Sequence, residues 1–387
     1  MHALDGLRGL AALVVFAHHA LVLLYGPLAG VNEHHWLARP QLLQRALQTA
    51  PVAWVFNGAF AVSFFFVLSG FVLTRAMGAT PTPSRVAELV TARFLRLFPL
   101  VAVGTAFGWL TFEAGRRHLD GLLLLTGNDS SAYIHADLLE HHGVKEALVE
   151  LFASIWRGTQ ADRLLDPPLW SIGVELKGSL LVYFLAGAFA DCRNRLAPYV
   201  TGAAVGLCMM GADSLSFLLG MALAERSREH GSRLLPLGPV PLTALAGLAL
   251  VWASVHPWDR SLWLPLPLRL PGLLDTSIST VMAAALMAAG IQLPPLRRAL
   301  ESRPVQWLGH ASYGLYVVHV PILYLGCTPL LQLAHQFCPP RTSSLFVSGT
   351  LLAASLLAGT ALIDYVDTPL AARSKAWTRR WLGGAAA

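Results

Sequence analysis

Residues 4–20 read LDGLRGLAALVVFAHHA, an apolar run that carries Arg8 near its start and His18 and His19 near its end. About 20 apolar residues in a helix cross a bilayer core. Because the apolar pattern continues through nine further segments, the run predicts a retained transmembrane helix rather than a cleaved signal peptide. Ionisable side chains inside such a helix are costly and usually serve function. The run therefore indicates a membrane fold with a polar site inside it.

The whole chain has the composition of a polytopic membrane protein. Of its 387 residues, 55% are hydrophobic and 13% are charged, whereas soluble proteins carry about 25% charged residues. The mean hydropathy of +0.55 agrees. These values exclude a soluble enzyme, a secreted disulfide scaffold and a disordered chain. The 28 Lys and Arg and 22 Asp and Glu are scattered between the apolar runs, which is typical of membrane orientation and not of nucleic-acid binding.

The predicted fold is all-α, a bundle of about ten transmembrane helices. The candidate spans begin near residues 8, 52, 94, 168, 198, 213, 237, 273, 308 and 344. The pieces 198–212 and 213–225 form either one long span or a hairpin that turns at residues 211–213. When the loop 116–167 is left out of the count, a model with ten spans places 16 Lys and Arg on the inner side and 5 on the outer side. A model with nine spans places 12 on the inner side and 9 on the outer side. Because cytoplasmic loops are the positive ones, the count favours ten spans with both termini cytoplasmic.

The chain is predicted to form one transmembrane domain over residues 1–370, followed by a basic cytoplasmic tail over 371–387. The loop 116–167 is expected on the outer face. It contains an amphipathic run at 145–157, which we expect to lie on the membrane surface rather than to cross it. No internal repeat is found. No spacing of His, Cys or acidic residues indicates a metal site, so none is expected.

Polar side chains inside the apolar segments recur at helical spacings, so that the members of each group share one helix face. The groups are Arg8 with His19, Arg93 with Arg96, Trp170 with Ser171 and Glu175, and Ser312 with Tyr316 and His319. Each group also has a purely structural interpretation. The arginines could be interfacial anchors, and the histidine, hydroxyl and carboxyl groups could join neighbouring helices. Two histidines at similar depth in one bundle are harder to explain in this way than one.

Six elements of the chain resemble, in the same order, those of the acyltransferase family 3 integral-membrane proteins. They are LDGLRGLAALVVFAHH (4–19), VSFFFVLSGFVLT (62–74), Arg93-x-x-Arg96-x-x-Pro99, Trp170-Ser171-x-x-x-Glu175, FLLGMALAE (217–225) and Ser312-Tyr313-x-x-Tyr316-x-x-His319. No single element is specific, but the ordered set is. One departure concerns the residues after the glutamate, where the family often has aromatic side chains and this chain has Leu176-Lys177-Gly178.

The resemblance implies a membrane O-acyltransferase that takes an acyl group, most often acetyl, from acyl-CoA. The acceptor would be a hydroxyl of a carbohydrate or of a glycosylated molecule. Acyl-CoA would be a co-substrate and no cofactor would stay bound. The implied location is the bacterial cytoplasmic membrane. A proton-coupled transporter of a polar solute is the main alternative, because intramembrane His, Glu and Arg also form proton relays. The lack of a repeat pair argues against it, and a catalytically silent scaffold is the third possibility.

Under the acyltransferase hypothesis, each chemical requirement has a candidate residue. His19 is predicted to be the general base, Glu175 to orient or stabilise its imidazole, and His319 to face the acceptor or to donate to the oxyanion. The phosphates of the donor are expected to bind three arginines, Arg8, Arg93 and Arg96. The substrates are expected to contact Asp5, Trp170, Ser171, Ser312 and Tyr316. Direct transfer and transfer through an acyl-histidine or acyl-serine both stay open, as do the acceptor and the oligomeric state.

Overall fold

The computed structural model describes residues 2–24, 53–78, 81–126, 143–157, 165–194, 196–254 and 272–382. Within them the chain forms thirteen α-helices and no strand, so the predicted all-α class is confirmed. The helices are α1 (His2–Leu24), α2 (Gly58–Met77), α3 (Pro83–Thr126), α4 (Val144–Arg157), α5 (Trp170–Ala188), α6 (Ala197–Met210), α7 (Asp213–His230), α8 (Pro239–Ser254), α9 (Gly272–Gln292), α10 (Pro294–Leu300), α11 (Arg303–His335), α12 (Pro340–Leu362) and α13 (Thr368–Leu382).

Helices occupy all ten of the predicted segments, but not all of them have the length and apolarity that a span requires. Six stretches of the described residues do, and they are His2–Leu24, Gly58–Met77, Pro167–Ala188, Gly272–Gln292, Arg303–His335 and Thr342–Thr378. Two shorter apolar helices, Ala197–Met210 and Pro239–Ser254, accompany them. The number of ten spans and the cytoplasmic termini stay predictions.

The segment 198–225 forms two helices, which is the hairpin alternative. α6 ends at Met210 and α7 begins at Asp213. The turn places Gly211 at a φ of 63°, a left-handed conformation that glycine adopts without strain. The two helices pack against each other, with the Cα of Gly206 close to Ser214. One long span through this segment is therefore excluded.

The extramembrane regions differ in part from the prediction. α4 covers the predicted amphipathic run. α3 continues to Thr126, eleven residues into the predicted outer loop, because a leucine-rich stretch favours continuation of the helix. The rest of that loop, at 127–142 and 158–164, lies outside the described residues. Most of the predicted basic tail belongs to α13.

Five helices form a ring, in which α1, α2, α5, α3 and α11 each contact the next and α11 closes the ring on α1. The other helices pack on the outside, among them α7 and α9 on α2 and α12 on α11. α1 and α11 approach closely because a side chain on Gly9 would overlap the backbone of Gly309. The ring brings together the helices that carry the predicted polar groups.

Candidate active site

A cavity of about 410 Å³ lies within the ring of five helices. Its volume falls in the range of small-molecule sites, which is about 300–1,000 Å³. Eight of the eleven predicted site residues line it, namely Asp5, Arg8, Arg93, Arg96, Ser171, Glu175, Ser312 and Tyr316. His19, His319 and Trp170 do not.

The mouth of the cavity is basic and partly exposed. Arg8 Nε donates to Ser312 Oγ at 3.0 Å, and its Nη2 donates to the Gly309 carbonyl at 2.9 Å. Asp5 lies one turn before Arg8 and forms an ion pair with it at 3.2 Å. The Arg8 and Asp5 side chains are 38% and 43% exposed. The close contact of α1 with α11 thus holds a guanidinium at the entrance.

A second arginine at the mouth has a partner that the sequence did not predict. Arg96 pairs with both carboxylate oxygens of Asp367, at 3.3 and 3.2 Å, and lies 6.0 Å from the centre of the Tyr313 ring. Asp367 ends a π-helical turn, Ile363–Asp367, between α12 and α13. Such turns widen a helix locally and are frequent at functional sites. The turn places Asp367 in the wall of the cavity.

The Tyr313 side chain is a further lining residue that sequence reasoning missed. Its hydroxyl is buried and has no hydrogen-bond partner among the described residues. A buried donor without a partner carries a desolvation penalty that a bound polar ligand can relieve. Tyr313 stood within the quoted motif, but at 100° per residue it lies about 100° from Ser312 and about 120° from His319 around α11, so the predicted stripe did not include it.

The middle of the cavity contains a partly buried ion pair. Arg93 contacts the Glu175 carboxylate directly and also donates to Ser179 Oγ at 3.0 Å. Ser69 Oγ donates to the same carboxylate at 2.6 Å. Arg93 and Glu175 are 16% and 15% exposed. Ser69 and Ser179 were missed, although Ser69 lies in the quoted 62–74 motif.

At the deep end of the cavity, α5 is joined to α11 by hydroxyl groups. Ser171 Oγ and Tyr316 Oη lie 2.6 Å apart. Both hydroxyls also reach the Pro168 carbonyl, at 3.0 and 3.2 Å. Trp170, next to Ser171, instead packs edge-on against Phe66 with ring centres 6.5 Å apart.

The two predicted histidines form a buried pair immediately beyond Tyr316. His319 Nε2 lies 3.1 Å from His19 Nδ1, and the Tyr316 and His319 ring centres are 5.9 Å apart. His319 Nδ1 faces the carbonyls of Leu315 and Tyr316, at 3.1 and 2.9 Å. Those carbonyls require a proton on Nδ1, so His319 Nε2 carries a lone pair.

This arrangement also determines the tautomer of His19. Its Nδ1 faces two acceptors, the Val15 carbonyl at 2.8 Å and the lone pair of His319 Nε2. Nδ1 must therefore carry the proton, and in the neutral ring Nε2 then has the lone pair. The Val15 carbonyl and His319 together orient the imidazole of His19 and fix its tautomer.

The structure separates Glu175 from the histidine pair. The contact between Ser171 and Tyr316 marks a level in the bundle. Glu175 lies one turn of α5 from that level, on the side of Arg93. His319 lies one turn of α11 from the same level, on the opposite side. With a rise of 1.5 Å per residue, the levels of Glu175 and His319 are about 10 Å apart. The expected contact between Glu175 and the His19 imidazole is therefore wrong for this conformation, because the carboxylate is held by Arg93 and Ser69.

A family model for an acyltransferase domain, that of acyltransferase family 3, matches residues 1–364. The chain belongs to acyltransferase family 3. The matched range contains every predicted site residue, so the resemblance is confirmed. No curated protein and no solved structure gave a match. With its long apolar helices, the protein is an integral membrane acyltransferase.

Outside its spans the acyltransferase buries two carboxyl groups where α4 meets the start of α5. Glu150 accepts a hydrogen bond from the Leu165 amide. The adjacent Asp166 is fully buried, and neither of its carboxylate oxygens has a hydrogen-bond partner among the described residues. Burial raises the pKa of Glu150 to about 8. Burial and the nearby Glu150 both raise the pKa of Asp166 well above its usual range.

The packing of α4 is expected to weaken as the pH rises. The pKa of Glu150 is about 8 in the folded protein and near 4.5 when exposed, so the folded state binds more protons between these values. Stability then falls through this window by at most about 1.4 kcal/mol per pH unit for this group. Hydrogen exchange of α4 amides, corrected for intrinsic rates, should show faster opening at pH 8 than at pH 5.

Glu150→Gln keeps an acceptor for the Leu165 amide and should remove most of this dependence, with a remainder from Asp166. Glu146→Gln is the matched control, because Glu146 lies exposed on the same helix. An equal pH slope in the wild type and in Glu150→Gln would contradict the prediction.

Proposed function

We propose that this acyltransferase transfers an acetyl group from acetyl-CoA to a hydroxyl of a carbohydrate or glycosylated acceptor. The observation that carries the proposal is the order of groups along one cavity. Arginines lie at the mouth, hydroxyls at the deep end, and a tautomer-fixed histidine pair directly behind them. A polyanionic thioester with a long flexible arm matches this order.

The phosphates of the donor would bind at the mouth, on Arg8 and Arg96, with the Tyr313 hydroxyl as an additional donor. Both guanidiniums already have carboxylate partners, Asp5 and Asp367. Binding of the phosphates would replace carboxylate oxygens by phosphate oxygens in the same charge-assisted, fork-shaped contacts. Arg93 is more deeply buried and paired with Glu175, so we assign it to the wall of the cavity rather than to the phosphates.

His19 would act as the general base and His319 as its positioning residue. Nε2 of His19 takes the proton of the acceptor hydroxyl as its oxygen attacks the thioester carbonyl. The C–S bond then breaks, and the same proton neutralises the thiolate, so that the products are an ester and CoA. The Tyr316 and Ser171 hydroxyls, which line the deep end of the cavity, would donate to the oxyanion. Tyr316 stands between the cavity and the two imidazoles. A rotation of the Tyr316 side chain would therefore bring the thioester of the donor next to His19.

The proposed orientation places the mouth of the cavity on the cytoplasmic side, where acyl-CoA is made. It follows from the excess of Lys and Arg predicted for the segments on that side, with ten spans and both termini inside. The corresponding location is a bacterial cytoplasmic membrane. The acceptor would then approach the histidine pair from the opposite side of the bundle.

The test uses the purified full-length protein in lipid nanodiscs, with acetyl-CoA labelled in the acetyl group and a glycan-containing membrane extract as the acceptor. Label should move into an alkali-labile ester of the glycan fraction. Acetyl-CoA labelled in its adenine is the control and should transfer none. The proposal would be refuted if the label stayed in acetyl-CoA. If the protein also moved a solute across the membrane of proteoliposomes, it would be a transporter instead.

A further inference from the structure

The cavity changes in character from its mouth to its deep end. Beyond the level of Ser69 and Glu175, the lining is provided largely by Val62, Phe65 and Phe66 of α2, together with the Ser171–Tyr316 contact. These side chains close the cavity on the side of the histidine pair. A ligand that enters from the arginines would therefore end against a largely apolar wall that also contains the Ser171 and Tyr316 hydroxyls.

The position of this wall has a consequence that rests on the proposed function. If the phosphates lie at Arg8 and Arg96, the thioester end of the donor points into the deep end. The acyl group extends beyond the sulfur, so it is the part that meets the wall first. The space in front of the wall then limits the acyl length.

The two phenylalanines of the wall differ in how firmly they are held. Phe66 is 1% exposed and stacks on Phe217 with ring centres 5.1 Å apart. Phe65 is only partly buried, and its ring stands edge-on to Tyr316 at 6.0 Å and 79°. Phe65 also packs against the apolar clusters on both sides, including the one that contains Phe16 next to His319. Shortening Phe65 would thus enlarge the cavity, whereas shortening Phe66 would open the core.

We propose that Phe65 sets the maximum length of the acyl group, and that the site takes short-chain acyl-CoA because this ring closes its deep end. Phe65 is then a specificity-determining residue that contacts the end of the acyl chain. A longer acyl chain would have to displace the Phe65 ring, which packs against two apolar clusters.

The experiment measures binding of S-alkyl-CoA thioethers, which cannot react and need no acceptor. The full-length protein in nanodiscs is titrated with the ethyl, butyl and hexyl compounds. In the wild type, affinity should stop rising or fall beyond the shortest chain. In Phe65→Ala, each added methylene that is buried should tighten binding by about fourfold. The ratio of hexyl to ethyl affinity should therefore rise at least tenfold over that of the wild type.

Val72→Ala is the matched control, because Val72 lines the mouth of the cavity and is 40% exposed. It should leave the affinity ratio unchanged. Phe65→Leu should give a hexyl-to-ethyl affinity ratio between those of the wild type and Phe65→Ala. If Phe65→Ala does not remain monodisperse, Phe65→Leu is used in its place.

The possible outcomes separate this inference from the proposed function. Binding of the thioethers with an unchanged chain-length ratio in both Phe65 variants would overturn the role of Phe65 alone. No binding of any CoA thioether to the wild type would overturn the CoA-dependent function and this inference with it. A shift in the ratio for the Phe65 variants but not for Val72→Ala supports both.

Discussion

His19→Ala is expected to lower the rate of acyl transfer by about 10²- to 10⁴-fold, which is the usual contribution of general-base catalysis. The variant should still fold, because the side chain is one of many on the buried faces of α1. The measurement is kcat for transfer of labelled acetyl to the glycan acceptor, together with donor binding. Donor affinity should change little, since neither imidazole lines the cavity.

The neighbouring His18 offers a matched control, because it is equally buried, at 6% against 7% exposure. His18 Nδ1 instead bonds the Phe56 carbonyl at 2.9 Å, so His18→Ala should keep most of the activity. His319→Gln can still accept from His19 Nδ1 and should retain more activity than His319→Ala, which removes the acceptor. Full activity in His19→Ala would remove the base assignment, and equal activity in the two His319 variants would remove the positioning role.

Arg93→Ala is expected to destabilise the protein by about 1–3 kcal/mol, because the largely buried Glu175 carboxylate would lose its charged hydrogen-bond partner. Glu175 would then remain largely buried with Ser69 as its main hydrogen-bond donor. We expect a clear fall in the temperature at which the solubilised protein loses its monodisperse form. Activity at low temperature should fall as well, because the Glu175 carboxylate lines the cavity.

The double variant Arg93→Ala with Glu175→Ala distinguishes a coupled pair from two independent contacts. It should be more stable than the sum of the single effects predicts, because no uncompensated charge remains. Arg85→Ala is the control, since Arg85 pairs with Glu88 within the same helix and is 38% exposed; its effect should be small. Additive effects of the Arg93 and Glu175 changes would contradict the coupling.

Helical periodicity predicted the polar faces of the site but not their partners. Arg8 and His19 on one face, and Ser312, Tyr316 and His319 on another, were correctly grouped, and the structure brings the two faces together. Which helices are neighbours depends on packing between distant parts of the chain. The predicted contact of Glu175 with His19 was therefore wrong, because α5 and α11 run in opposite directions and place Glu175 beside Arg93.

The residues that were missed had weak local signals. Asp367 is an acidic residue without a motif around it, and only the π-helical turn directs it to Arg96. Ser69 and Tyr313 stood inside quoted motifs, but a single hydroxyl in an apolar helix often bonds its own backbone. The boundaries were also inexact where leucine-rich sequence extended α3 to Thr126.

The two imidazoles that meet in the bundle are 300 residues apart in the chain. At the usual rate of synthesis of about 5–20 residues per second, the ribosome needs about 15 to 60 seconds to add that stretch. The proposed pair of imidazoles is therefore complete only after His319 has been synthesised. A polypeptide that stops short of His319 would contain the proposed base without its positioning residue.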